Sequence, residues 1–226
     1  MLLQIPNVLT KEQVSECQEM LLSASWQDGK ATAGHQALLA KHNLQLPQNS
    51  EVGADIGQFI LAKLKQRSDF MGAALPHKFY PPMFNCYQDA GCFDKHIDNA
   101  IRQPPLGEEQ VRTDLSMTLF LTEPDSYQGG ELVIEDTFGD KTVKLAAGDL
   151  LLYPSSSMHR VTPVTSGRRL AAFFWLQSLI RSNEHRRILY DLDQSIIALT
   201  QENPQQQELI RLTGVYHNLL RQWSQA

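Results

Sequence analysis

His96-Ile97-Asp98 sets an imidazole and a carboxylate two residues apart. On an extended segment such side chains point to the same face, so both can converge on one ion. The spacing alone carries little. With 7 histidines and 13 aspartates in 226 residues, chance supplies about 0.4 such triplets, and a hydrogen-bonded surface pair explains an isolated one. A second imidazole, His159, follows the apolar run that ends at Tyr153-Pro154. If the strands roll so that a late one returns beside an early one, His159 joins His96 and Asp98. Two histidines and one carboxylate then hold a ferrous ion with its remaining positions open. The plain alternative is a core histidine donating to a backbone carbonyl.

Arg169 lies ten residues beyond His159, across a turn through Ser166-Gly167. That offset takes the chain from one strand to the start of the next, which in a sandwich can face the same cavity from the opposite sheet, ~10 Å away. A guanidinium buried there must have an anionic partner, and a ligand carboxylate would supply it through a bidentate pair. Arg168 should then point outward. Both arginines could instead be solvated turn residues, but Arg169 opens Leu170-Ala171-Ala172-Phe173-Phe174-Trp175-Leu176, one of the most apolar stretches in the chain.

Three zones position these residues. To about residue 68 the chain reads as helix: Thr10-Lys11-Glu12-Gln13 is a capping box ahead of Val14, Cys17 and Leu21. Ser50 caps a second helix carrying Val52, Ile56, Phe59, Ile60 and Leu64. From about Phe70 to Gln177 the period changes to two, with Leu115, Met117, Leu119 and Leu121 alternating with Ser116, Thr118 and Phe120. Glu131–Asp136 and Lys141–Leu145 flank a turn at Thr137-Phe138-Gly139-Asp140 and read as a hairpin. Short strands without intervening helices indicate an antiparallel sandwich or barrel. From about 179 the chain is helical again, with Asn203-Pro204 expected to open the last helix. The fold class is therefore α+β: a jelly roll (double-stranded β-helix) of mainly antiparallel strands, N-terminal helices packed on it, and a C-terminal helical pair. The expected division is a jelly-roll domain over 1–177, whose helical segment spans 1–68, and a helical extension over 178–226. The terminal pair could cover the roll or make a homo-oligomer.

Composition excludes other classes. At 42% hydrophobic and 20% charged, the chain has material for a core and is not a disordered or disulfide-framed one. A net charge of −5 gives no drive toward nucleic acid. No apolar run approaches the ~20 residues of a membrane span, and the N-terminus, broken at Pro6, does not read as a signal peptide. Cys17, Cys86 and Cys92 lack C-x-x-C spacing and read as reduced thiols, hence a cytoplasmic location.

Together, the HxD, the distant His and the Arg ten residues on resemble the Fe(II)/2-oxoglutarate-dependent dioxygenases, and within them the PKHD-type bacterial hydroxylases. The likeness extends to Gly129-Gly130-Glu131-Leu132, to the Gly148-Asp149-Leu150 strand, and to Trp26-Gln27-Asp28-Gly29 with Thr32-Ala33-Gly34. It implies His96, Asp98 and His159 as ligands of Fe(2+). It also implies that 2-oxoglutarate chelates the iron while Arg169 and Tyr87 hold its tail. Prolyl hydroxylases often carry Lys where this chain has Arg169, whose fork suits a carboxylate better. Further expectations from the family are O2 as co-reactant, L-ascorbate as reductant, decarboxylation to succinate, and a tie to bacterial iron uptake or homeostasis. The substrate, small molecule or peptidyl, stays open among prolyl, lysyl, free amino acid and siderophore-like compounds. Two rivals are a non-catalytic iron- or metabolite-sensing jelly roll and a hydrolytic zinc site, neither of which uses Arg169.

Other residues receive secondary readings. Asn85 and Asn99 flank the cavity, Asp94 is an unneeded ligand, and His77 is a minor substrate-contact candidate. Trp175 and Phe173 are assigned to core, and His35, His42, His185 and His217 to the surface. Lys41–Gln45 and Lys78–Pro82 are read as a lid.

Overall fold

Along the strand Leu115–Phe120 the side chains divide by type. Leu115, Met117 and Leu119 enter one apolar cluster while Ser116, Thr118 and Phe120 face the other way, as the two-residue period requires. The same division governs the whole architecture. The computed structural model describes residues 2–32, 41–105 and 109–225; Ala33, Gly34 and His35, noted in the sequence, lie outside them. The principal strands are β1 (Leu3–Ile5), β2 (Met83–Tyr87), β3 (Cys92–His96), β4 (Leu115–Phe120), β5 (Leu132–Ile134), β6 (Leu150–Pro154), β7 (His159–Val161) and β8 (Arg169–Ser178). The helices are α1 (Lys11–Ser23), α2 (Glu51–Lys65), α3 (Ser68–Ala74), α4 (Asn183–Glu202) and α5 (Gln207–Trp223).

The larger sheet runs β1-β6-β4-β8-β2 and continues through Leu44–Gln45 and Gln27–Asp28. The smaller runs from Lys141–Val143 through β5, β7 and β3 to Lys41–His42. Every pairing in both is antiparallel. The expected hairpin is present, with Leu132 opposite Val143. Tyr87, Phe120, Leu151 and Tyr153 of the larger sheet meet Leu132, Ile134 and Val161 of the smaller in one cluster, so the two sheets pack face to face.

The outer face of the larger sheet is closed by helices. Val14, Cys17 and Leu21 of α1, Ile56, Ile60 and Leu64 of α2, and Phe70 and Ala73 of α3 share a core with Phe84, Leu150, Leu170 and Phe174. Both predicted caps form. Thr10 accepts from the Gln13 N–H at 3.3 Å while Gln13 Oε1 accepts from the Thr10 N–H at 3.0 Å, and Ser50 Oγ accepts from Gly53 N–H at 3.2 Å. Each such cap contributes about 1 kcal/mol.

Four local expectations are corrected. The helical zone runs on to Ala74, because Phe70, Ala73 and Ala74 have helical spacing and bury together; Leu75 ends α3 at φ 44°. The N-terminal zone also lends two- and three-residue strands to both sheets, too short to show alternation. Lys41–Gln45 and Lys78–Pro82 form no lid: Lys41–His42 pairs with β3, Leu44–Gln45 with β2, and Phe79 opposite Leu176 on β8. Asn203 ends α4 instead of opening α5, since the residue before a proline is pushed to extended backbone, here φ −153° and ψ 90°.

The terminal helices dock on the chain's own body. Leu189 packs with Leu75 and Ile180, flanked by Tyr216, Leu219 and Trp223. Leu189 is fully buried there, whereas its neighbour Ile188 is 49% exposed. Among the described residues no helix is long and apolar enough to cross a membrane.

Candidate functional site

β3 and β7 are neighbours in the smaller sheet, and His96 stands opposite His159 in register. Their ring centroids are 4.2 Å apart. Asp98, two residues past the end of β3, brings its Oδ2 to 3.8 Å from His159 Nε2. One potential ligand atom from each of the three residues lies within 4.8 Å of the others. The late strand therefore does return beside the early one, and the three side chains meet.

Their orientation is fixed by neighbours. His96 Nδ1 lies 2.8 Å from the Asp94 carbonyl and His159 Nδ1 3.0 Å from the Ser157 carbonyl. A carbonyl only accepts, so each Nδ1 carries the proton and each Nε2 keeps its lone pair for an ion. Asp94 thus contributes its backbone, not its carboxylate. Ser116 Oγ donates to Asp98 Oδ2 at 2.7 Å. The Ser155 hydroxyl sits 2.7 Å from Ser116; Ser116 has one proton, so Ser155 donates to it. Burial, reinforced by His159, pushes His96 down to about 4, which keeps the ring neutral and able to ligate. Phe93 stacks on His96 at 3.6 Å.

Across the cavity, Arg169 opens β8 opposite Tyr87 on β2. It is 1% exposed, with its guanidinium carbon 5.3 Å from the Tyr87 ring and 5.1 Å from Phe120. Among the described residues no carboxylate pairs with it, and its Nε has no hydrogen-bond partner. Arg168 turns to the surface and donates to Gln88 at 2.9 Å. The Tyr87 hydroxyl accepts from Asn85 Nδ2 at 3.2 Å; burial pushes its pKa up to about 12, against the pull of Arg169. The Tyr127 hydroxyl is also buried, beside Arg169 but in no well-formed hydrogen bond, and burial raises its pKa against that charge. Gly130 leaves room for both: at φ 69°, a Cβ there would meet Val164 Cγ2 at 2.8 Å and both Arg169 Cδ and Tyr127 Cε2 at 3.0 Å.

A buried cation with unsatisfied N–H and O–H groups around it is stable only beside an anion. The donors present fit a carboxylate, and the imidazole–carboxylate cluster fits ferrous iron. Both ends line one cavity of about 550 Å³, within the usual range for small-molecule sites, roughly 300–1,000 Å³. Asn85 and Asn99 line it too, as do Trp175 and Phe173, which therefore serve as cavity wall besides core. His77 does not. From the sequence alone, no binding role is assigned to Lys41, Arg102, Ser116, Tyr127 or Tyr153. Ser116 was legible as a polar residue on the inward phase of an apolar strand; Lys41 and Arg102 sit on strands of two residues, which leave no periodic signal.

Residues 82–177 match the 2OG-Fe(II) oxygenase superfamily, and residues 183–225 match the PKHD-type hydroxylase C-terminal domain. A PKHD-type hydroxylase of Saccharophagus degradans is 59% identical over 225 residues, covering 100% of each chain. The PKHD-type hydroxylase PiuC of Pseudomonas aeruginosa is 56% identical, again over 100% of both. Among solved structures, a Trichoplax adhaerens prolyl hydroxylase in complex with a hypoxia-inducible-factor peptide aligns with a TM-score of 0.59 at 15% identity, over 83% of this chain and 86% of that one. A Pseudomonas putida prolyl-4-hydroxylase gives 0.51 at 19% identity, over 78% and 92%. These two share the arrangement of antiparallel sheets and helices. The full-length identities carry the conclusion: the chain belongs to the PKHD-type hydroxylases, dioxygenases of the 2OG-Fe(II) superfamily.

Proposed function

We infer that His96, Asp98 and His159 hold the iron, that Arg169 and Tyr87 grip the distal carboxylate of 2-oxoglutarate, and that the paired sheets form a double-stranded β-helix around them. One observation carries the assignment: three ligand atoms within 4.8 Å face, across one cavity, a buried guanidinium with no carboxylate partner among the described residues. When bound, the iron and keto acid supply the oxidising chemistry, coupling decarboxylation to succinate with hydroxylation of a substrate C–H by O2. The chain's share is positioning and exclusion of water. Asp94 and Ser157 hold the two imidazoles in one tautomer, and Ser116 holds the aspartate. Tyr153 places its ring edge against His159 at 5.3 Å and shields it. Arg169 and Tyr87 fix the tail at the depth of the roll, so the reacting end of the dicarboxylate lies toward the histidines.

Succinate formation from 2-oxoglutarate with Fe(II) tests this. Activity should vanish in His96→Ala and fall through a raised KM for 2-oxoglutarate in Arg169→Ala. An unchanged rate in His96→Ala overturns the ligand set. Family likeness alone supports the use of ascorbate and an iron-uptake connection; the free cysteines support a cytoplasmic setting, and the helical pair within residues 178–226 supports self-association. Light scattering tests the last directly.

A further inference from the structure

The cavity carries more positive charge than the 2-oxoglutarate reading uses. Arg102 lies over the Trp175 ring at 4.0 Å and near Tyr80 at 5.0 Å. Its Nε is buried without a hydrogen-bond partner, and no carboxylate among the described residues pairs with it. Lys41, 6% exposed, enters the same cavity with its Nζ 5.6 Å from the Phe93 ring and 5.9 Å from Phe173. Its amine donates to Gln45 Oε1 at 2.6 Å. Burial and then the charge of Arg102 push the amine down to about 8, with Asp28 opposing. Both cations line one pocket walled by rings, where the low dielectric strengthens the attraction of Arg102 for an anion.

Phe93 connects this cationic wall to the iron site, because its ring also stacks on His96 at 3.6 Å. The wall therefore adjoins His96 through Phe93 and is distinct from Arg169, which lies against Tyr87 and Phe120. The cation–π contact with Trp175 at 4.0 Å anchors the guanidinium, whose N–H groups can meet a carboxylate as a fork.

We propose that Arg102, supported by Lys41 and seated on Trp175, is the substrate-recognition residue, and that the substrate presents a carboxylate on an apolar body to the Lys41–Arg102 wall beside His96. This rests on the site reading above and adds the substrate class. The carboxylate can belong to a free small acid or to a peptide C-terminus, and both would use the same fork.

The test uses full-length protein loaded with Mn(II) and saturating 2-oxoglutarate, so that Arg169 is occupied. Binding is measured by calorimetry for benzoate, hexanoate and N-acetylphenylalanine, each beside its carboxamide. At least one acid should bind ten or more times tighter than its amide, and Arg102→Met should remove that preference. Arg102→Lys, which keeps the charge without the fork, should fall between. Preference among the first two pairs assigns a free acid; preference for the third alone assigns a chain terminus, and either supports the proposal. Equal binding of acids and amides across the panel overturns it. So does an acid affinity untouched in Arg102→Met, or one that falls in proportion to added 2-oxoglutarate, which would mean competition at Arg169. Equal loss of 2-oxoglutarate affinity in Arg102→Met also overturns it. Failure of the wild-type protein to bind 2-oxoglutarate is a separate result, and refutes the site reading instead.

Discussion

Replacing Arg169 with methionine separates what this side chain does for the fold from what it does for the ligand. Without a carboxylate partner, a buried guanidinium carries an effective desolvation penalty of several kcal/mol. The Tyr87 and Phe120 rings, at 5.3 and 5.1 Å, return about 1–2 kcal/mol in all. Methionine fills similar volume without the charge, so ligand-free protein should gain about 1–2 kcal/mol. For a chain of this length that raises Tm by roughly 2–8 °C. Binding moves oppositely. Losing two charge-assisted hydrogen bonds costs about 3–4 kcal/mol, two to three orders of magnitude in affinity. At 2-oxoglutarate 100 times its Kd, the wild type gains ~2.7 kcal/mol, whereas the variant gains almost nothing, so the order of the two melting temperatures should close or invert on adding ligand. Calorimetric unfolding with and without 2-oxoglutarate, in the presence of Mn(II), reads both effects. A variant that melts lower without ligand yet binds 2-oxoglutarate normally would refute the reasoning, because the charge would then be compensated within the fold.

Ser116→Ala removes the hydrogen bond that holds Asp98 and should weaken metal binding about 10–100-fold at about 1 kcal/mol of stability; competitive metal titration and a denaturant melt report the two separately. Gly130→Ala must drive a Cβ against Val164, Arg169 and Tyr127 at φ 69°, so stability should drop by about 1–3 kcal/mol and 2-oxoglutarate affinity with it, both measured on the same protein. Tyr127→Phe deletes a buried hydroxyl that is in no well-formed hydrogen bond, so a urea melt should show no loss, while KM for 2-oxoglutarate rises about five- to tenfold if that hydroxyl meets the tail. Truncation after Ser178 uncovers Leu75 and removes Ile180 and Leu189; two lost buried side chains and their cavity should lower stability by several kcal/mol, visible as a lower denaturant midpoint.

The sequence was most readable where one periodicity ran long. Six residues of β4 alternate cleanly, and so their inward and outward faces could be assigned from type alone. The cluster of His96, Asp98 and His159 was legible for a different reason: His96 and Asp98 are local, and only a rolled sheet returns His159 to them. Arg169 followed from charge, since an arginine at the head of an apolar strand demands an anion. The helix Ser68–Ala74 was lost because seven residues give too few turns to compete with the strand signal that follows. Lys41 and Arg102 were out of reach for a related reason. Each sits on a strand of two residues, paired with the distant β3 for Lys41 and with the nearby Val111–Arg112 for Arg102. Two residues are too few to show alternation, and the pairing of Lys41 with β3 is set by topology.

The two faces of the larger sheet explain how so polar an interior is tolerated. Leu170, Ala172, Phe174 and Leu176 of β8 join the core beneath the helices, while Arg169, Phe173 and Trp175 face the cavity. Stability is thus concentrated on one phase of each strand, which frees the other phase to carry groups that destabilise the empty protein. Several buried side-chain atoms without hydrogen-bond partners sit on that phase: Asn85 Oδ1, Arg102 Nε and Arg169 Nε belong to residues lining the cavity, and Tyr127 Oη lies beside Arg169. Charge and hydrogen-bonding capacity left unsatisfied in the fold become binding energy for whatever satisfies them. A second anion beside the first is what that distribution calls for, because Arg169 accounts for one cation and the Lys41–Arg102 wall lies against other rings, next to His96.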